Sequence, residues 1–429
     1  MKISILTLFP ELYKPFFETS LIGRAQARGD LVVGIQDFFA FCNPKERLDC
    51  PTYGPGAGMV LKPLMVEQAI QAQEKQYGAA YKIFFSPHGK KLDQRQVRVL
   101  AEKIKEKDHI MLVCARYEGM DARVEEVYAD EIVSIGDYVL MGGDLPAMVL
   151  LESVLRYVPG IVGKDESVRA DSFSGPLVDY PEYTEPLEWH GLKVPDVVRS
   201  GNHRAIADWR REQAIKRTVR HHFDWLRTFK LDESLLLEVR AVVPPHYVAL
   251  MHDEIQLKEG RVGTTSITTF DMHDIARSML TYGLEKFFLV TPLEDQTKIA
   301  QTLLDFWLGE GRAYNVHRHE AIKRVQLAQS IDGAITAIEQ ETGKKPLLIA
   351  TSAREQMSIS VISYDDHALV WSHERPVLFV LGTGSGLSHT LLSRCDYVLP
   401  PLVGLSNFNH LSVRSAAAVI FDRWLGIRS

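Results

Sequence analysis

The chain has 429 residues, a length typical of two or three domains, and its 46% hydrophobic and 24% charged residues exclude a disordered or fibrous protein. Its 49 basic and 55 acidic side chains give a net charge of −6, which excludes a uniformly cationic protein but not a local cationic patch. The four cysteines form no C-x-x-C pair, Pro10 interrupts the N-terminal apolar run, and no run of eighteen apolar residues occurs. We therefore expect a cytoplasmic protein with reduced thiols, no signal peptide and no membrane span.

Short apolar runs that alternate with helical patterns predict βαβ units and a mainly parallel sheet. One helix is predicted to begin at Asp271 as its N-cap and to end at Gly283, and another covers residues 412–425, before Gly426. The predicted strands are residues 3–9, 31–35, 83–85, 110–114, 131–134, 286–290, 347–351, 377–381 and 397–399, with a further strand-like run at 247–251.

The chain is predicted to divide into 1–165, 166–242 and 243–429, because a charged helical stretch ends at two prolines and a new strand-like run follows them. A short internal sequence repeat supports this division. Residues 137–140 and 396–399 both read Asp-Tyr-Val-Leu, and in both places an apolar strand precedes and a Gly- or Pro-rich loop follows. We interpret this repeat as evidence of two α/β domains of the same type.

Glycine-rich loops occur at residues 53–59, 142–146 and 382–386. Glycine lets the backbone approach a ligand and exposes its N–H groups, although each loop alone is also compatible with a tight turn that holds no ligand. The loop at 382–386 lies late in its domain, which argues against a dinucleotide fingerprint. Polar strand ends complete a predicted pocket for a nucleoside-like ligand at residues 86–89, 116–119 and 135–138.

Two further patterns carry charge. Arg156 lies in an apolar run that predicts a buried, paired arginine, and Asp171 follows in a loop. Such a pair suits a general base and an oxyanion stabiliser, with an ordinary salt bridge as the alternative. Residues 199–230 hold nine Lys or Arg and three Asp or Glu, a local charge of +6 with Trp209 and Trp225 between them. This segment predicts RNA phosphate contacts, with a solvated helix face as the alternative.

Over residues 1–228 these motifs resemble the bacterial tRNA (guanine-N1)-methyltransferase family of the TrmD type. The resemblance rests on residues 8–11, 53–63, 86–94, 116–124, 134–148, 156–160, 171–173 and 200–203. Residues 243–429 resemble a second S-adenosylmethionine-dependent RNA methyltransferase domain of the same SPOUT superfamily, on residues 382–388, 399–404 and 409–426. Within residues 1–228, Cys50, Pro55, Phe84 and Ala115 depart from the residues usual in the family.

The resemblance implies an α/β fold with two SPOUT-type trefoil-knot methyltransferase domains and a small helical tRNA-binding segment between them. It implies S-adenosylmethionine-dependent methylation of N1 of the guanosine at position 37 of tRNA, 3′ of the anticodon. It also implies a homodimer with active sites at the subunit interface, and it admits a magnesium ion, for which the sequence offers no dedicated ligands.

The resemblance assigns roles to individual positions, with Asp171 as the general base and Arg156 as the residue that supports the guanine. The methyl donor is expected at Ser86, Pro87, Gly89, Ala115, Tyr117, Glu118, Ile135, Gly136, Asp137, Tyr138, Val139, Leu140, Gly142, Gly143 and Pro146. A second donor site is expected at Gly382, Gly384, Gly386, Leu402, Gly404, Asn409, Leu411 and Ser412, with Arg414 near RNA phosphate. RNA contacts are expected from Arg204, Arg210, Arg211, Arg217 and Arg220.

Two other functions make different demands on the sequence. A nicotinamide-dependent oxidoreductase needs an early G-x-G-x-x-G followed by an acidic residue about 20 positions later, and the sequence has none. For the C-terminal half, a non-catalytic RNA-binding module stays open, because that half has no evident counterpart of Asp171.

Overall fold

Two parallel sheets organise the chain, and a computed structural model describes them over residues 1–54, 58–161, 171–257, 260–354 and 360–427. Contacts divide the chain into two compact units, Met1–Ser174 and Gly175–Ser429. Pro55 and the expected boundary at residues 165–166 lie outside the described residues. No helix within the described residues is long and apolar enough to cross a membrane.

The first unit contains a five-stranded parallel sheet in the order β2-β1-β4-β3-β5. Its strands are β1 (Lys2–Thr7), β2 (Val32–Asp37), β3 (Tyr81–Lys91), β4 (His109–Val113) and β5 (Glu131–Ser134). Its helices are α1 (Lys14–Glu18), α2 (Ser20–Ala27), α3 (Pro63–Tyr77), α4 (Gln94–Lys105), α5 (Ala122–Tyr128) and α6 (Asp144–Leu155), with 3-10 turns at Pro10–Leu12 and Phe38–Phe41 and a small antiparallel pair of strands at Asp49–Pro51 and Met59–Leu61.

The second unit contains a six-stranded parallel sheet in the order β8-β7-β6-β10-β9-β11. Its strands are β6 (His246–Met251), β7 (Lys286–Val290), β8 (Val325–Ala328), β9 (Leu347–Thr351), β10 (Val377–Gly382) and β11 (Tyr397–Leu399), with short antiparallel pairs at Ile255–Gln256 with Val262–Gly263 and at Glu188–Trp189 with Leu192–Lys193. Its helices are α7 (Asp196–Arg199), α8 (His203–His221), α9 (Phe223–Leu226), α10 (Glu233–Val242), α11 (Thr269–Thr281), α12 (Glu294–Leu308), α13 (Gly311–Tyr314), α14 (Val316–Ile322), α15 (Ile331–Thr342), α16 (His367–Trp371), α17 (His389–Leu392) and α18 (Val413–Leu425).

The two sheets share one strand order. When the edge strand β8 is set aside, the second sheet reads second, first, fourth, third, fifth strand, as the first sheet does. Buried apolar residues cover both faces of each sheet, which explains why the strands were predictable as near-continuous apolar runs. The two sheets therefore have the strand order that the interpretation of two α/β domains of the same type leads us to expect.

The two Asp-Tyr-Val-Leu segments that suggested this repeat do not occupy equivalent positions in the two sheets. Residues 397–399 form β11, whereas residues 137–140 form a loop after β5. The true counterparts are Asp130 and Asp396, which precede the last strand of each sheet. The Asp130 carboxylate accepts from the backbone N–H of Lys82 at 2.7 Å, and that of Asp396 accepts from Leu348 at 2.8 Å. In each sheet, this hydrogen bond ties the start of the last strand (β5 or β11) to the start of the adjacent strand (β3 or β9).

Helix α11 starts earlier than its sequence pattern indicated. Thr268 is the N-cap, and its hydroxyl bonds both the backbone N–H and the carboxylate of Asp271. Asp271 is therefore the third residue of the helix and bonds the N-cap side chain, rather than being the N-cap itself. Helix α18 begins after Ser412 and ends before Gly426, as predicted.

The basic helical segment packs within the second unit. Ile215, Phe223 and Leu226 belong to the same buried core as Trp371 and Trp424. Beside them, the fully buried Arg227 guanidinium donates to the carbonyls of Asp422, Arg423 and Gly426 at 2.7–2.8 Å. Arg227 thus caps the C-terminus of α18, so one of the nine cations counted in the sequence serves the fold.

Candidate functional site

The residues expected to hold the donor in the first unit follow three neighbouring strands. Residues 86–89 lie in the last part of β3, residues 115–118 follow β4, and residues 135–143 follow β5, with Pro146 in the first turn of α6. Because β4, β3 and β5 are adjacent and parallel, their carboxyl ends bring these loops to one edge of the sheet.

Direct hydrogen bonds join the loops after β4 and β5. The backbone N–H of Gly143 donates to the carbonyl of Ala115 at 2.8 Å, and Arg116 forms an isolated antiparallel bridge with Gly142. The Arg116 guanidinium also donates to the carbonyl of Met141 at 3.3 Å. Because Ala115 acts here through its backbone, its departure from the family residue leaves this bond intact.

Glycine is required where these loops meet. A Cβ at Gly89 would lie 2.7 Å from backbone atoms of Ile132 and Val133, and one at Gly143 would lie 3.0 Å from Cα of Cys114. Around this narrow backbone cradle the side chains of Tyr138 and Val139 are 59% and 92% exposed. Backbone groups beside accessible aromatic and apolar side chains fit a nucleoside-like ligand.

Asp144 is the residue that sequence reasoning missed. It is 1% exposed, accepts from the Thr7 hydroxyl at 2.5 Å and the Tyr13 hydroxyl at 3.1 Å, and pairs with Arg116 at 3.0 Å. Burial, followed by the nearby Cys114 and Asp144, raises the pKa of Tyr13, which keeps its hydroxyl a donor. The network anchors Arg116 under the loop after β5, and no local sequence pattern revealed it because its members lie far apart in the chain.

Arg156 and Asp171 meet in the structure. The Arg156 guanidinium donates to Oδ2 of Asp171, and their side chains are 44% and 33% exposed. The expectation that Arg156 is buried is therefore wrong: α6 ends at Leu155, and Arg156 is its C-cap. A pair that solvent reaches is also accessible to a substrate, although the geometry alone is equally that of an ordinary salt bridge.

The second unit has a cavity of about 970 Å³ at the carboxyl ends of its strands. It is lined by seven of the eight residues expected there, namely Gly382, Gly384, Gly386, Leu402, Asn409, Leu411 and Ser412. Gly404 is exposed and is not among the lining residues. Gly384 and Gly386 have φ of +56° and +103°, a backbone conformation that side chains disfavour.

Sequence reasoning missed another part of this cavity wall, which includes His252, Thr265, Asp271 and Thr383. Arg414 also lines the cavity, where it pairs with Asp271 at 3.3 Å and Asp274 at 3.5 Å. Two carboxylates therefore hold the arginine that was expected near RNA phosphate.

All five arginines expected to contact RNA lie on α8, and they differ in their partners. Arg211 forms two hydrogen bonds with Glu238, Arg210 stacks 4.4 Å from the ring of Tyr180, and Arg217 donates to a backbone carbonyl. Arg204 and Arg220 are exposed and make no hydrogen bond or ion pair within the described part of the chain. These two are the cations most available to a phosphate.

The described residues contain no group of three or more His, Cys, Asp or Glu side chains placed to hold a metal ion.

Comparison with known families assigns both units to one class. Residues 1–228 match the family described as tRNA (Guanine-1)-methyltransferase TrmD, and residues 245–426 match a family described as SAM-dependent RNA methyltransferase. The molecule is thus a tandem of two RNA methyltransferase domains.

Similar proteins from bacteria indicate which RNA methyltransferase family the chain belongs to. A tRNA (guanine-N(1)-)-methyltransferase of Nitratidesulfovibrio vulgaris is 40% identical over 433 residues, and one of Oleidesulfovibrio alaskensis is 38% identical over 439 residues. Each alignment covers 99% of both chains. One of Lacticaseibacillus paracasei is 40% identical over 245 residues, which are 56% of this chain and 94% of its own. The chain belongs to the tRNA (guanine-1)-methyltransferase family.

Proposed function

We propose that the first unit methylates N1 of the guanosine at position 37 of tRNA, on the 3′ side of the anticodon. The observation that carries this proposal is the accessible Arg156–Asp171 pair in the same unit as the glycine cradle of residues 86–89, 115–118 and 135–143. S-adenosylmethionine, when bound at that cradle, supplies an electrophilic methyl group.

The chain's own residues then have to activate and orient the guanine. Oδ2 of Asp171 accepts from Arg156, which leaves Oδ1 to take the proton from guanine N1. The Arg156 guanidinium neutralises the negative charge that develops on guanine O6. The loops hold the two reactants in line, which makes the attack effectively unimolecular.

A homodimer with active sites at the subunit interface accounts for the placement of these groups. Helix α6 has twelve residues, so Asp144 at the donor loops and Arg156 beyond its other end are separated by about 18 Å along the helix axis. A partner protomer that brings its Arg156–Asp171 pair to these loops closes that gap. We further infer the trefoil knot of the SPOUT superfamily in each unit and a cytoplasmic location.

For the second unit we propose a second donor site in its 970 Å³ cavity. Residues 382–386 and 409–412 supply backbone groups there, as the glycine cradle does in the first unit. Helix α8 supplies the RNA-binding cations, with Arg204 and Arg220 the most available.

Asp171→Asn tests the first assignment, because it keeps the size of the side chain and removes the base. We expect formation of 1-methylguanosine to fall about 10²–10⁴-fold while donor binding stays unchanged. Mass spectrometry of tRNA nucleosides and calorimetry with the donor measure the two quantities. Asp30→Asn is a matched control, since Asp30 forms an exposed pair with Arg28 and belongs to neither the donor loops nor the basic helix. Methylation at the parent rate would refute Asp171 as the base.

A further inference from the structure

The cavity of the second unit has a polar wall that the proposed donor site does not use. His252 directly follows β6, an interior strand of the sheet, and Thr265 lies in the loop that precedes α11. Thr383 belongs to the loop after β10. All three line the cavity, so elements far apart in sequence bring their side chains to one place.

A hydrogen-bond relay connects these residues and has a fixed direction. The Thr383 hydroxyl lies 2.8 Å from the carbonyl of Met251, which can only accept, so Thr383 donates to it. Thr383 must then accept from the Thr265 hydroxyl, 2.6 Å away. Thr265 in turn must accept from Nδ1 of His252 at 2.9 Å. The proton of the neutral imidazole is thereby placed on Nδ1, and Nε2 is left with a lone pair.

That lone pair has no partner among the described residues. His252 is 1% exposed, and its Nε2 is buried without a hydrogen bond. Burial lowers the pKa of His252 to about 4, against a smaller opposing effect of Asp271, so the ring is neutral near pH 7. A buried acceptor that lacks a donor costs stability, and such a group in a cavity wall points to a ligand that brings an N–H or O–H group.

We propose that His252, Thr265 and Thr383 form the acceptor subsite of the second unit, in which Nε2 of His252 takes the proton from the RNA nucleotide that is methylated. This inference rests on the proposed donor site in the same cavity. A bond forms between the acceptor nitrogen or oxygen and the methyl carbon while the carbon–sulfur bond breaks. The electron pair of that bond stays on sulfur, and the acceptor proton passes to Nε2. Thr265 and Thr383 are positioning residues that fix the tautomer.

The second unit thereby has a base without any counterpart of Asp171. In the first unit the proposed base, Asp171, lies beyond the end of α6, whereas here it lies at the end of the first strand of the sheet. A catalytic second half is therefore favoured over a non-catalytic RNA-binding module.

The test uses the full chain with His252→Asn. The asparagine amide can keep the donor to Thr265 at the position of Nδ1, and it removes Nε2. The substrate is total RNA from cells depleted of this protein, incubated with an isotope-labelled methyl donor. Mass spectrometry of RNA fragments then separates label in the tRNA anticodon loop, made by the first unit, from label elsewhere. His317→Asn, which changes an exposed histidine that is not among the cavity-lining residues, is the control.

We expect the parent to label RNA outside the anticodon loop and His252→Asn to reduce that label at least 100-fold. Label in the anticodon loop and a calorimetric stoichiometry of two donors per chain should not change. The inference is overturned if His252→Asn binds two methyl donors and labels RNA outside the anticodon loop as the parent does. It is also overturned if the parent binds two methyl donors and labels nothing outside the anticodon loop. A single donor per chain instead rejects the donor site itself, and with it this subsite.

The tautomer of His252 can be measured directly. If the relay fixes it, the protonated ring nitrogen should change when Thr265 is replaced. Long-range nitrogen NMR of the parent should show His252 protonated at Nδ1 only. In Thr265→Val the relay is cut, and we expect a mixture of tautomers together with about tenfold slower labelling outside the anticodon loop. Thr265→Ser should restore both. A ring protonated at Nε2 in the parent would contradict the assigned base.

Discussion

The two units share one order of five strands and differ in where their proposed bases lie. Both use the order second, first, fourth, third, fifth strand, and both fix the last strand with an aspartate at its start. The first unit pairs Arg156 with Asp171 beyond the end of α6, on the surface. The second unit buries His252 in a cavity wall at the end of β6. The shared fold therefore fixes where loops converge, while the side chains on those loops decide the chemistry.

The units also differ in what surrounds the sheet. The basic helices α8 to α10 share a core with the second sheet, and Arg227 bonds the last turn of α18. A fragment for separate study of the second unit should therefore begin near Gly175 rather than at residue 243. A fragment that begins at 243 would expose the apolar surface that Ile215 and Leu226 cover.

The largest expected effect on stability comes from removing this bond set. Arg227→Met removes the guanidinium that donates to three carbonyls at the end of α18, of which that of Asp422 still accepts from the backbone N–H of Gly426. We expect the second unit to lose about 3 kcal/mol of unfolding free energy. The first unit should keep its stability. Urea unfolding followed by hydrogen exchange in peptides of each unit measures both. Arg220→Met, an exposed change on the neighbouring helix, should have little effect, and equal effects of the two variants would contradict the structural role of Arg227.

Acid should affect the second unit more than the first. Burial lowers the pKa of His246 to about 3 and of His252 to about 4, and in the first unit it lowers the pKa of His109. These histidines are neutral when folded and gain a proton on unfolding at a pKa near 6.5, so stability is complete above that pH and declines below it. At pH 5 the loss is about 2 kcal/mol for each of His246 and His252.

Hydrogen exchange at pH 7 and pH 5 tests this difference, with amides of β6 reporting the second unit and amides of β1 the first. The exposed His317→Gln should leave the difference unchanged. An equal loss of protection in both units would show that buried histidines do not set the acid sensitivity of the second.

The smallest effect concerns RNA binding by α8. Because Arg204 and Arg220 have no partner within the described residues, each variant to Gln should weaken tRNA binding and lower the salt dependence of log Kd by about 1. Arg211→Gln should change the salt dependence of log Kd less, since Glu238 already binds that guanidinium through two hydrogen bonds. Filter binding at several salt concentrations measures the slopes. A larger change for Arg211 than for Arg220 would place the RNA on another face.

Sequence reasoning predicted the elements that depend on local pattern. Strands 131–134, 286–290, 347–351 and 397–399 have their predicted bounds, because short apolar runs form the interior of each strand. The start of α11 was missed because Thr268 is an equally good N-cap, which places Asp271 inside the helix. Asp144 and His252 were missed for another reason: their partners are distant in sequence, and only the folded chain brings those partners close.

The central claim is that the chain carries two methyltransferase units with separate bases. The most direct measurement compares Asp171→Asn and His252→Asn in the full chain by mass spectrometry of labelled RNA. We predict that Asp171→Asn loses label only in the tRNA anticodon loop and that His252→Asn loses label only outside it. Loss of both labels in either variant would contradict the account.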